Sequence, residues 1–159
     1  MKIIHVINSL DQGGAEMTLI RLINNSSQKH FIITILNSHS LIKKIQKPVE
    51  IISIFPLSIR KIKLIKEKIR SYSPDIFQGW MYHGDLIASI LGFIYNKKIL
   101  WNIRHGKISL KHTSKKTIIL RFLLSILSHF IPTKIISCSK EGLLVHKNAG
   151  YCGDKITVI

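Results

Sequence analysis

Short apolar runs alternate along this chain with longer segments in which apolar residues recur every three or four positions. The runs are typical of buried strands, and the periodic segments are typical of amphipathic helices. The pattern predicts strands over residues 3–7, 31–36, 49–55, 76–80, 98–103, 134–137 and 156–159. It predicts helices over residues 14–24, 59–72, 83–95, 117–130 and 140–148, with a polar loop over residues 104–116.

Apolar strands that alternate with helices indicate a parallel sheet covered on both faces, which is a doubly wound α/β domain. The 159 residues suit one such domain. The last residues stop within a predicted strand. We therefore expect the chain to be one part of a larger protein.

The formal net charge is +16, because 24 Lys and Arg stand against 8 Asp and Glu. This surplus favours an anionic partner, which is a phosphate-bearing substrate, an acidic membrane surface or nucleic acid. The cations comprise 19 Lys and 5 Arg. Since Arg is the residue that most often reads base edges, its scarcity makes nucleic acid the least favoured partner.

The cysteines and the apolar stretches exclude several classes of protein. Cys138 and Cys152 form neither a disulfide framework nor a zinc-binding pattern, so we expect reduced thiols. The first residues become too polar after Ile7 for a signal peptide. The most apolar window, residues 118–131, is interrupted by polar residues and is shorter than the ~20 residues that a membrane span needs.

Gly13 and Gly14 stand where the first predicted strand passes into the first predicted helix. One interpretation is a tight turn that requires glycine. The other is close approach of a phosphate group, because a helix N-terminus presents free N–H groups and the positive end of the helix dipole. The spacing matches neither the G-x-G-x-x-G nor the P-loop fingerprint. The glycines alone leave both interpretations open.

Four segments, in order, resemble the N-terminal domain of family 4 GT-B glycosyltransferases: "VINSLDQGGAE", "PDIFQGWMYHGDL", "LWNIRH" and "IISCSKEGLLVHKNAGYCGDKITVI". The resemblance covers essentially the whole chain and is greatest to bacterial enzymes of cell-envelope polysaccharide and lipopolysaccharide assembly. It implies a Rossmann-like fold that forms the N-terminal half of a GT-B architecture. Members carry a second, donor-binding domain with an E-x7-E motif, and this sequence contains no such motif.

The resemblance implies that residues 1–159 are the acceptor-side domain of a retaining glycosyltransferase. Such an enzyme moves a sugar from a nucleotide sugar to a glycan or lipid-linked acceptor, and neither a metal nor another cofactor is expected. Without a donor-binding domain, this chain alone is expected to be inactive. We expect it in the cytoplasm or on the inner face of the bacterial plasma membrane.

Two other classes of function are alternatives. One is a non-catalytic basic module that binds an anionic membrane surface or nucleic acid. The other is an NAD-dependent oxidoreductase, which requires a glycine fingerprint and an acidic residue after the second strand. The sequence has Asn37, Ser38 and His39 at that position, so this class ranks last.

The resemblance also assigns the donor side of the site. Gly13 and Gly14 would bind the donor diphosphate, and His105 would be the catalytic residue beside the transferred sugar. By its position, Arg104 could also bind the diphosphate. Related enzymes often have His-Asp where this chain has His105 followed by Gly106. Arg104 has a second interpretation as a solvated loop cation.

The predicted acceptor-binding residues are Glu16, Trp80, Tyr82, His83 and Asp85. The last four lie at the end of the fourth predicted strand, where aromatic faces with polar tips suit a sugar. Glu16 has an alternative role in the first turn of its helix, where the dipole favours a carboxylate. The pair His83 and Asp85 could act as a base or could cap the helix.

The segment 60–70 runs from Arg60 to Arg70 and carries six cations against one acid, Glu67. Such a run usually forms a solvated helix face. It would also suit docking on an anionic membrane surface, to which each cation adds up to ~1 kcal/mol.

Overall fold

Strands and helices alternate in the computed structural model, which describes residues 1–104 and 114–159. The strands are β1 (Lys2–Ile7), β2 (Lys29–Thr34), β3 (Glu50–Ser53), β4 (Ile76–Gly79), β5 (Lys98–Ile103), β6 (Lys134–Ser137) and β7 (Ile156–Val158). The helices are α1 (Gly14–Asn25), α2 (Ile59–Tyr72), α3 (Met81–Ile94), α4 (Lys115–Leu127) and α5 (Lys140–Asn148). Short 3-10 turns cover Ile42–Lys44 and Gly153–Lys155.

The strands form one sheet in the order β3-β2-β1-β4-β5-β6-β7, and every neighbouring pair is parallel. The chain enters at β1, moves outward to β3, and then returns to the other side of β1 as β4. The strand order therefore reverses between β1 and β4. In open α/β sheets, ligands bind at the carboxyl edge beside such a reversal. The predicted Rossmann-like parallel sheet is confirmed.

Helices cover the two faces of the sheet, as predicted. Ile4 and Val6 of β1 pack on one face with Ile65 and Ile69 of α2. Side chains alternate along a strand, so Ile7 points to the other face, where it belongs to the cluster that includes buried residues of α1. A third cluster joins β5, β6 and β7 to α4 and α5 around the fully buried Trp101.

Some element boundaries differ from the prediction. β3 is shorter than predicted, and α3 begins two residues early, at Met81. α4 begins at Lys115 because the Ser114 hydroxyl caps it, accepting from the backbone N–H of Thr117 at 3.2 Å. Leu22 of α1 is exposed, because it lies at the margin of the buried face of this helix. Among the described residues, no helix has the length and apolarity to cross a membrane.

Candidate functional site

A cleft of about 540 Å³ opens at the carboxyl edge of the sheet, beside the reversal of strand order. Its lining comes from segments that follow β1, β4, β5 and β6. The lining residues are Gly13, Gly14, Ala15, Glu16, Thr18, Met81, Arg104 and Cys138. The carboxyl ends of parallel strands meet at one edge, which is why residues far apart in sequence converge here. Arg104 contacts both Gly14 and Trp80 at this edge, and Gly13 lines the same cleft.

The N-terminus of α1 faces the cleft with its backbone uncovered. The N-cap residue is Gly13, whose backbone is extended (φ −171°, ψ 166°) and whose missing side chain caps nothing. The first N–H groups of a helix have no partner within the helix. Those of α1 therefore present donors and the positive end of the dipole to the cleft.

The structure separates the two interpretations of the glycine pair. Neither Gly13 nor Gly14 has a positive φ, so neither is required by the backbone conformation. A Cβ at Gly14 would find nothing within 4 Å, which means that it would project into open space. A Cβ at Gly13 would meet the Glu16 carboxylate, the flexible end of a side chain. The glycines thus keep the backbone accessible rather than permit a turn.

Glu16 and Arg104 place opposite charges at this helix terminus. The Glu16 carboxylate folds back beside Gly13, where the helix dipole favours a negative charge. Arg104, half-buried, donates from Nη1 to the Gly14 carbonyl at 3.5 Å. Its guanidinium also lies 5.7 Å from the centre of the Trp80 ring, within the range of a cation–π contact. These contacts hold Arg104 against the cleft, in contrast to a freely solvated loop cation.

Trp80 lies beneath this arginine rather than in the cleft. It is 1% exposed, and its indole N–H donates to His5 Nδ1 at 3.2 Å. His5 therefore carries its proton on Nε2, which donates to His30 Nδ1 at 2.9 Å. Burial, and secondarily the nearby His30, lowers the pKa of His5 to about 3, so its ring is neutral at pH 7. Direct stacking of a sugar on Trp80 is incompatible with this burial.

Tyr82 and Asp85 are also interior residues. The Tyr82 hydroxyl donates to His146 Nε2 at 3.0 Å, because the other ring nitrogen donates to the Gly142 carbonyl. Asp85 accepts from the backbone N–H of Asn102 at 3.2 Å, and burial raises its pKa well above the usual range. These bonds tie α3 to β5 and α5. Burial therefore excludes both residues from direct contact with an acceptor.

His83 is exposed on α3, whereas Asp85 is fully buried. The two side chains therefore do not act together as the predicted catalytic base. The alternative role as helix caps is wrong as well. Trp80 is the N-cap of α3, and no side chain caps this terminus. His83 and Glu16 are the acceptor-binding candidates that remain accessible. Their contact with an acceptor stays a prediction.

Two glycines that the sequence analysis did not single out pack the motif around β4. A Cβ at Gly79 would lie 2.4 Å from the Asp85 Cα, and a Cβ at Gly84 would lie 2.4 Å from the Val6 carbonyl oxygen. Both obstacles are backbone atoms. The available signals were a glycine inside a predicted strand, Gly79, which suggests close backbone approach, and a glycine inside a predicted helix, Gly84, which is unfavourable there unless packing requires it.

His105, the predicted catalytic residue, lies outside the described residues. Within the described ranges, no three His, Cys, Asp or Glu residues cluster in a way that could hold a metal ion. Cys138 and Cys152 are both free thiols, and Cys138 is exposed at the cleft.

Comparison with known proteins gives similarity of structure but not of sequence. No family model and no curated protein matches this chain. Among solved structures, HepE of Anabaena, determined with UDP and with UDP-glucose, matches with a TM-score of 0.78. The aligned residues are 18–19% identical, and they cover 100% of this chain and 43% of HepE.

Two further structures share the fold more distantly. UDP-N-acetylglucosamine 2-epimerase from Rickettsia bellii matches with a TM-score of 0.61 at 12% identity, over 99% of this chain and 44% of the epimerase. The lipopolysaccharide outer core galactosyltransferase WaaB matches with a TM-score of 0.60 at 17% identity, over 99% of this chain and 45% of WaaB. These similarities show a Rossmann-like fold of the GT-B glycosyltransferase kind. The chain spans less than half the length of each of these structures.

Proposed function

We propose that this chain is the N-terminal, acceptor-side domain of a retaining family 4 glycosyltransferase, which uses a nucleotide-sugar donor. The acceptor class is a polysaccharide, a lipopolysaccharide or a lipid-linked glycan. The observation that carries the proposal is the convergence of Arg104 with the uncovered N-terminus of α1 at one cleft. The bound UDP and UDP-glucose of HepE, which shares the fold, support a nucleotide sugar as the donor.

Residues of the cleft would stabilise the diphosphate as it leaves the sugar. Negative charge grows on the bridging oxygen as the bond from sugar to phosphate breaks. The N–H groups at the start of α1 and the guanidinium of Arg104 would stabilise that charge. They are fixed before the reaction, because Arg104 rests on both Gly14 and Trp80. A donor-binding domain would supply the opposite side of the cleft.

Replacing Arg104 with glutamine tests the donor side directly. We expect the chain to bind UDP weakly, and R104Q to lower that affinity by about tenfold, because hydrogen bonds to a charged group contribute ~1.5–3 kcal/mol. Calorimetric titration with UDP measures the effect. Arg70→Gln is the matched control, since it removes the same charge from the exposed surface of α2.

The two variants separate a local contact from general electrostatics. A tenfold loss in R104Q with little change in R70Q supports the diphosphate site. Equal losses in both variants would show that UDP responds only to net charge. Unchanged affinity in R104Q would remove Arg104 from the site. Circular dichroism checks that each variant is folded.

A further inference from the structure

Helix α4 is apolar on its outer side as well as its inner side. On the inner side, Leu124 is fully buried, and Leu120 and Leu127 pack against the core. The outer side carries Ile119, Phe122, Leu123 and Ile126 at helical spacing, followed by Phe130. Ile119 is 68% exposed, Phe122 is 67% exposed and Phe130 is 80% exposed. A surface helix of a soluble domain normally has a polar outer side.

The neighbouring helix extends this apolar surface. α3 packs against α4, and three large apolar side chains near its end point outward: Ile90 at 50%, Phe93 at 84% and Ile94 at 62% exposure. We define the α3–α4 face as Ile90, Phe93, Ile94, Ile119, Phe122, Leu123, Ile126 and Phe130. Apolar groups gathered on one surface indicate an interaction site, whereas scattered ones do not.

The charge around this face is mainly positive, although the exposed Asp75 lies beside Lys97 and Lys98. Between Asp85 and Glu141 the sequence contains ten Lys or Arg residues and no Asp or Glu. The exposed lysines lie at both ends of the face, since α3 and α4 run antiparallel to the strands. Lys115 and Lys116 lie at the carboxyl edge of the sheet. At the amino edge, the exposed lysines are Lys97, Lys98 and Lys134.

The basic helix α2 lies beside the α3–α4 face but contributes no residue to it. A groove of about 320 Å³ between α2 and α3 is lined by apolar side chains such as Ile62 and Ile94, with Lys66 at its margin. On α2, Lys63 and Lys66 are exposed, but Lys68 forms an ion pair with Glu50 and Lys61 is half-buried. The predicted cationic run is thus only partly available, as a flank of the apolar face.

We propose that the α3–α4 face seats this domain on an anionic phospholipid surface. The apolar side chains would enter the boundary between headgroups and acyl chains, and the surrounding lysines would contact the headgroups. A second copy of the chain fits less well, because each copy has a net charge of +16 and docking would bring two cationic rims together. This inference does not depend on the proposed glycosyltransferase function.

Vesicle co-sedimentation of the full 159-residue chain tests the proposal. We expect binding to vesicles of phosphatidylglycerol and phosphatidylcholine, which falls with added salt, and little binding to phosphatidylcholine alone. The double variant Phe93→Gln with Phe122→Gln should bind at least about tenfold more weakly, because buried apolar area contributes to the binding. The matched control, Leu22→Gln with Leu144→Gln, removes exposed apolar groups from α1 and α5. This control should bind like the parent chain.

A tryptophan reporter tests the same proposal with a substitution that keeps the side chain large and aromatic. Trp80 and Trp101 are almost fully buried, so Phe122→Trp introduces an exposed indole whose signal is distinct. On anionic vesicles its emission should shift to the blue and be quenched by brominated lipid, whereas Leu144→Trp on α5 should change little. Equal responses of the two reporters would overturn the proposal. So would a dimer in sedimentation equilibrium that the F93Q/F122Q pair dissociates, with no binding to vesicles.

Discussion

Replacing Gly84 with alanine is expected to destabilise the domain by about 3 kcal/mol, the upper part of the usual range for overpacking a core. The added Cβ would lie 2.4 Å from the carbonyl oxygen of Val6 in β1, an interior strand of the sheet. That oxygen also accepts from the backbone N–H of Trp80 at 2.9 Å. It therefore cannot shift without breaking this hydrogen bond, which links β1 to the end of β4. Either α3 or β1 must move.

Urea unfolding followed by circular dichroism measures this effect as a lower midpoint. Gly14→Ala is the matched control, because its Cβ would meet nothing within 4 Å and alanine is the better helix former. We expect its stability to stay within about 0.5 kcal/mol of the parent, as for surface substitutions. Equal midpoints for G84A and G14A would contradict the close packing of α3 on β1.

Acidification is expected to remove the stability that His5 contributes, because this residue stays neutral in the native state. Its folded pKa of about 3 lies below the unfolded value of 6.5. Below pH 6.5, His5 binds a proton in the unfolded chain but stays unprotonated in the folded chain. The contribution of His5 to the free energy of unfolding therefore falls as the pH drops toward 3, whereas Asp85, whose pKa is raised by burial, contributes in the opposite direction. The loss by pH 4 is about 3 kcal/mol, since each pKa unit corresponds to ~1.36 kcal/mol.

The pH dependence of unfolding in His5→Gln tests this assignment. Glutamine is uncharged and can both accept from Trp80 and donate to His30, so the stability lost between pH 6.5 and pH 4 should shrink. Burial, and then the charge of Lys47, also lowers the pKa of His30, which leaves a smaller dependence in the variant. His83→Gln on the exposed surface should keep the parent's slope. An unchanged slope in H5Q would contradict the account of His5.

Periodicity alone predicted the fold well where one side of an element is buried. The bounds of α2, β5, β6 and α5 agree with the predicted ones. The rule that carboxyl ends of parallel strands meet also predicts one shared site for Gly13 and Arg104, and both residues line the same cleft. Local pattern was sufficient for these features because each depends on sequence period or on strand direction.

The interior polar residues could not be predicted in the same way. Asp85 has the sequence context of a cleft residue, yet packing against Gly79 and the backbone bond from Asn102 place it inside. The hydrogen-bonded chain of Trp80, His5 and His30 depends on the register of three strands, which apolar periodicity leaves open. A tryptophan after a strand can line a cleft or support it. Only the tertiary contacts distinguish these roles.

The outer side of α4 shows the limit of hydrophobic patterning in another way. Residues 117–130 are apolar around most of the helix, so the sequence does not tell which side packs on the sheet. The structure gives Leu124 to the core and leaves Phe122 exposed. The membrane hypothesis consequently moves from the cationic helix α2 to the α3–α4 face, where apolar and cationic groups occur together.

The central claim is that the cleft at the N-terminus of α1 binds the diphosphate of a nucleotide sugar. The most direct measurement is a titration of the isotope-labelled chain with UDP, followed by amide proton–nitrogen NMR spectra. We expect the amide signals of Gly14, Ala15, Glu16 and Arg104 to shift progressively and together, because these residues line the cleft. Shifts concentrated on the lysines of α2, or no shift of the α1 signals at any UDP concentration, would contradict the claim.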